Sequence, residues 1–125
     1  MNNKVLVGVR LQREMVIALE TFIVDNGLHK YKIKLHNLAT IIVQEWLENP
    51  VLDRSKIVFG TVTNAPRSSR ISIRISNEEN IKLYEIYVKE YIRECASVNM
   101  MIYNIILQFI ENKGTISALQ DQMEH

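Results

Sequence analysis

Arg70, Ser72 and Arg74 occupy every second position of a short run, RISIRIS, with Ile71, Ile73 and Ile75 between them. Alternate residues of a strand share one face. The run therefore predicts a strand with isoleucine on one side and guanidinium and hydroxyl groups on the other. A guanidinium is a planar fork of N–H donors that fits an anion or two acceptors on one edge. Ser72 adds a hydroxyl that can donate or accept. The chemistry on offer is recognition rather than bond-making.

The residues needed for catalysis are not grouped in a familiar way. His29 and His36 are seven apart and lack partner cysteines, so zinc is not expected. No Gly-rich phosphate loop, GxSxG elbow or HExxH pattern occurs. Glu78 and Glu79 are adjacent carboxylates, but acids are common in the first turn of a helix. Tyr84, Tyr87 and Tyr91 recur at helical spacing and suit packing better than base stacking. Neither an enzyme nor a cofactor is expected.

A second alternating run, VLVGVRL, lies near the N-terminus, with Val5, Val7, Val9 and Leu11 on one side and Leu6, Gly8 and Arg10 on the other. A helix is expected after it, carrying Met15, Leu19, Phe22 and Ile23, with Asp25-Asn26-Gly27 as its stop and Gly27 able to adopt the left-handed conformation. Leu28 to Ile33 is a basic connection. The next helix spans Lys34 to Glu48, its apolar face running from Leu35 to Leu47, and Asn49-Pro50 ends it. Within the following connection, Ile57-Val58-Phe59 reads as an extended segment packed on the body and Thr63 to Ser69 as a basic loop. After the RISIRIS strand, Ser76 or Asn77 begins a helix expected to reach Glu94. Ser97 caps a last helix to Asn112, with Met101, Ile102, Ile105, Ile106, Phe109 and Ile110 inward, and Lys113-Gly114 ends it.

These elements form a repeat. VLVGVRLQRE, a helix and LATIIVQEWLEN recur as RISIRISNEE, a helix and MIYNIILQFIEN. Trp46 matches Phe109, and Leu47-Glu48-Asn49 matches Ile110-Glu111-Asn112. The first copy covers residues 4–49, a linker 50–69, the second copy 70–112 and a tail 113–125, all within one domain. One strand and two helices cannot bury their own apolar faces, whereas two such units can bury each other's. The fold class expected from these elements is mostly α with two short strands, in two strand-helix-helix repeats.

A net charge of +1 over 125 residues hides a polarised chain. Residues 54–74 hold Arg54, Lys56, Arg67, Arg70 and Arg74 with no acid, and residues 26–44 hold Lys30, Lys32 and Lys34 with none. From Ile75 onward there are eight acids and four bases. The lone Cys95 rules out an internal disulfide and suits a small core position in a reducing compartment. The longest apolar stretch, Met100 to Ile110, is interrupted by Asn104 and Gln108 and is roughly half the length a bilayer span requires. A cytoplasmic protein without a membrane partner is expected.

The order of alternating strand, helix and helix, present twice, resembles the ribbon-helix-helix family of DNA-binding proteins, such as Arc and MetJ. Both copies in one chain resemble the tandem layout of TraY, an accessory protein of conjugative relaxosomes. The resemblance implies two strands paired as an antiparallel ribbon, helices interlocked beneath it, and double-stranded DNA as partner. The major groove is about 12 Å wide and admits such a ribbon, arginine can pair with guanine O6 and N7, and an apolar side chain can touch a thymine methyl.

Arg10, Arg70, Ser72, Arg74, Leu6 and Gly8 are then the base-reading positions. Leu6 either faces the groove or lies under residues 1–4 or the linker. If Gly8 faces Ser72, Arg10 falls opposite Arg70, a like-charge pair that disfavours a sheet without an anion. The second helix of each copy would aim its N-terminus at a phosphate. That implies Lys30, Lys32, Lys34 and His36 for the first copy, Ser97 and Asn99 for the second, and Arg67 on the linker. Association of chains side by side along DNA is left open. The role expected is a transcriptional regulator or an accessory factor at the transfer origin of a mobile element. A second reading is a protein-interaction module, antitoxin-like or inhibitory, favoured by the low net charge and by Leu6-Gly8.

Overall fold

The computed structural model describes residues 4–60 and 68–112. It is mostly helical, with one two-stranded antiparallel sheet and four α-helices among these residues. Strand β1 (Lys4–Leu11) leads into α1 (Arg13–Asp25), and α2 (Leu35–Glu48) follows. Strand β2 (Ser69–Ser76) leads into α3 (Asn77–Ile86), and α4 (Val98–Glu111) follows. Single 3-10 turns lie at Leu28–Tyr31 and Arg54–Lys56. Lys113, Gly114, the rest of the tail, and Thr63 to Arg67 of the basic loop lie outside the described residues.

The alternation seen in the sequence sets the ribbon's two faces. Val9, Leu11, Ile71, Ile73 and Ile75 are buried, and Val5 and Val7 are half-buried. Each fully buried isoleucine contributes about 1.5–3 kcal/mol relative to an exposed one. The helices lie under this face and cross between the strands: α2 packs on β2, α4 packs on β1, and α2 and α4 pack on each other. Two bonds from helix side chains fix the strands. The Arg74 N–H donates to Thr40 Oγ1 at 3.1 Å, and Asn99 Nδ2 donates to the Gly8 carbonyl at 2.6 Å.

Gly27 takes the left-handed conformation at φ 68°, as its place after α1 predicts. Lys32 is left-handed too, at φ 61°. Ile57-Val58-Phe59 packs on the body: the Val58 N–H and carbonyl both bond to the amide of Asn104, at 2.8 Å each.

The helix expected to continue to Glu94 departs from α geometry after Ile86 and widens into a π turn over Tyr87–Tyr91. The packing explains the change. In an α-helix of 3.6 residues per turn, Tyr91 would point about 80° away from the buried Leu83. The wider turn rotates it back. Tyr91 is 3% exposed, and its hydroxyl accepts the Leu52 N–H at 2.9 Å. The same helix leaves Ile81, Tyr84, Val88 and Ile92 exposed. Cys95 is fully buried, and burial, then the charge of Glu94, pushes its thiol above the ordinary range. None of the described helices is long and apolar enough to cross a membrane.

Candidate nucleic-acid interface

The two strands pair with Gly8 opposite Ser72, Leu6 opposite Arg74 and Arg10 opposite Arg70. This places all six expected base-reading positions on one face of the ribbon. Arg10, Arg70, Ser72 and Arg74 are exposed, and neither strand contains an acid. Leu6 is 66% exposed, so it faces outward rather than lying under neighbouring chain. Lys4, one period before Leu6, is also exposed and extends the basic face. It was not among the expected positions, although the period of two leads directly to it.

The like-charge pair is resolved by divergence. Arg10 Nη1 donates to Ser68 Oγ at 3.0 Å, beyond the end of β2. Arg70 leans the other way, across the ribbon, and its guanidinium lies over Gly8. Ser68 carried no signal in the sequence, being one of two serines in a loop.

Two open grooves flank the ribbon where the second helices begin. One, of about 750 Å³, runs between the Leu6–Arg74 end and the first turns of α2; His36, Asn37, Thr40 and Gln44 form its helical wall. The other, of about 350 Å³, runs between Gly8–Arg10 and the start of α4, with Ser97, Asn99 and Tyr103 along it. Arg70 borders both grooves, which fits its place near the ribbon's middle.

The two helix starts differ chemically. Ser97 caps α4, its hydroxyl accepting the Met100 N–H at 3.1 Å. At α2 the residue before the helix is Lys34; its N–H donates to Asn37 Oδ1 at 3.0 Å, and its side chain makes no capping bond. Lys30, Lys32, Lys34 and His36 are exposed around this start. Asn99 is exposed but joined to the Gly8 carbonyl, so it grips β1 from the start of α4. Thr40 does the same for β2 from within α2, donating to the His36 carbonyl and accepting from the Arg74 backbone. Neither gripping role could be read from spacing, since both depend on which strand lies above which helix. Arg67 lies outside the described residues.

Elsewhere, no group of three or more His, Cys, Asp or Glu side chains able to hold a metal occurs among the described residues. Glu79 is the clearest perturbed acid near the ribbon. Burial opposes its ionisation, but bonds from the Ser76 N–H, the Gln44 amide and the Ser76 hydroxyl outweigh this and hold it below the usual carboxylate range. Its role is to close a capping box at the start of α3. Comparison with protein-family models, curated proteins and solved structures finds no match for this chain.

Proposed function

We propose that this chain binds specific double-stranded DNA by laying the outward face of its ribbon in the major groove. The observation that carries the reading is the register. It gathers three arginines, a serine and a lysine, with no acid, on the free side of a sheet whose other side is core. A two-stranded ribbon fits that groove, and forked donors there can distinguish guanine from other bases. The exposed lysines near the start of α2 suit phosphates on one flank.

Two strand-helix-helix units, each with its second helix under the other unit's strand, support a tandem ribbon-helix-helix pseudo-dimer. Symmetric dimers favour palindromic sites. Here the two strands present different side chains, so the reading extends to an asymmetric or direct-repeat site and a bound complex with direction. Such a protein suits a transcriptional regulator or an orientation-dependent accessory factor on a mobile element.

An electrophoretic shift against random duplex at low salt is the first test, followed by selection from a random duplex pool. The reading requires a shift at micromolar protein and enrichment of a defined site. No shift would instead favour a protein-interaction module, a reading supported by the exposed Ile81, Tyr84, Val88 and Ile92.

A further inference from the structure

Gly8 has an unusual place in the ribbon. It sits inside β1, where glycine lacks a side chain to pack and weakens a strand. Its own carbonyl is held from below by Asn99 at 2.6 Å. Above it lies the guanidinium of Arg70, which comes diagonally from the neighbouring strand. A Cβ at Gly8 would overlap that guanidinium, lying 2.8 Å from its Cζ. Arg70 would otherwise face Arg10 directly. Arg10 instead turns outward to Ser68. The vacant side-chain position at Gly8 lets Arg70 turn inward.

We propose that Gly8 is a positioning residue: the notch it leaves in β1 holds the Arg70 guanidinium over the middle of the ribbon, aimed at the central base step of the bound duplex. This rests on the DNA-binding reading above and adds which residue reads the centre. The ribbon then has three unlike zones. Leu6 and Arg74 lie at one end, Arg70 sits over Gly8 and Ser72 in the middle, and Arg10 is tethered at the other end. Two arginines that share a strand pair are thereby assigned to different base steps.

The overlap is with the far end of a flexible side chain, so Gly8→Ala leaves the fold intact. Replacing a strand glycine also tends to raise stability. The seat therefore predicts a variant as stable as the wild type or more so, yet poorer at recognition. The probe is the duplex enriched from a random pool by the full wild-type chain, together with its single-base-pair variants, read by fluorescence anisotropy. Gly8→Ala should lose about tenfold in affinity for the selected duplex, with discrimination lost at the central step and a smaller loss on random duplex. Arg70→Ala should lose the same discrimination, and the double variant should lose no more than Arg70→Ala alone. Wild-type discrimination in Gly8→Ala, or losses that add in the double variant, would overturn the seat while leaving the DNA reading standing. Failure of the wild type to enrich any duplex would overturn both. The Arg70 Nε–Hε resonance reports on the seat without DNA: it should move in Gly8→Ala, and an unmoved signal counts against the proposal.

Discussion

Helices α2 and α4 have the same length and matching ends, yet they live in different surroundings. Helix α2 buries Leu38, Ala39, Ile42, Val43 and Leu47, with half-buried residues between them. Helix α4 is buried continuously from Met100 to Ile106 and again at Gln108. The connection after α2 accounts for the difference, because it lies along α4. Gln108 holds the Asp53 N–H and carbonyl at 2.8 and 3.0 Å, Asn104 holds both polar groups of Val58, and the Ala96 N–H bonds to the Phe59 carbonyl. With Trp46 aligned to Phe109, the positions matching Asn104 and Gln108 on α2 are Ile41 and Glu45. Irregular backbone laid on a helix leaves N–H and C=O groups that need partners, and buried amides supply them. Asparagine and glutamine within an apolar helix thus mark a place where non-helical chain docks.

The largest effect should come from breaking that distinction. Asn104→Leu leaves two Val58 backbone groups without partners and should destabilise the chain by about 2–5 kcal/mol in chemical denaturation. A loss below about 1 kcal/mol would mean the connection is not anchored there. Ile41→Asn, the reverse exchange at the half-buried matching position, should cost less.

A second contrast lies between the ribbon's ends, where Arg10 and Arg74 are equivalents but Leu6 stands where the other strand has Arg70. Arg74→Ala should cost about 1–3 kcal/mol of specific affinity and relax preference at one base pair. Leu6→Ala should cost less and act only on discrimination of a thymine methyl. If Arg74→Ala changes neither affinity nor preference in a binding titration, the ribbon is not the reader.

The ribbon's two faces were legible in the sequence because period-two alternation fixes which side chains share a face, whereas the pairing of the strands was implied only by the family resemblance. The side-chain directions were not. Arg10 and Arg70 look alike as letters, and only the vacancy at Gly8 and the nearby Ser68 hydroxyl send them apart. The π turn was equally hidden, since Tyr87 and Tyr91 fit a helical pattern whether or not an extra residue is inserted. The interruption of α4 by Asn104 and Gln108 could be read as evidence against a membrane span, but their partners, at residues 58 and 53, lay too far away in sequence to identify.

The helix starts give the smallest and most separable effects. Ser97→Ala removes a side-chain cap and should lower stability by about 1 kcal/mol, measured by thermal or urea unfolding. Lys34→Ala, at the matching start, removes no cap and should leave stability unchanged. It should weaken specific and random duplex alike and reduce the magnitude of the salt slope of binding by about one. A pair of variants that behave alike would dissolve the contrast.

The first helices differ in a similar way. Helix α3 begins with a capping box in which Glu79 Oε1 accepts the Ser76 N–H at 2.8 Å, whereas α1 begins at Gln12 without a side-chain cap, and Met15 stands at the position matching Glu79. Because folding holds the Glu79 carboxyl below its ordinary range, its contribution is fully present above the unfolded value and lost as pH falls through the folded one. Glu79→Gln keeps an acceptor for the Ser76 N–H but no longer titrates. Unfolding midpoints measured from neutral pH down through the acid range should therefore fall less steeply for Glu79→Gln than for the wild type. Met15 has no proton to exchange, so the difference between the two curves reports on the α3 start alone. Parallel curves would show that Glu79 ionises as easily in the unfolded chain as in the capping box.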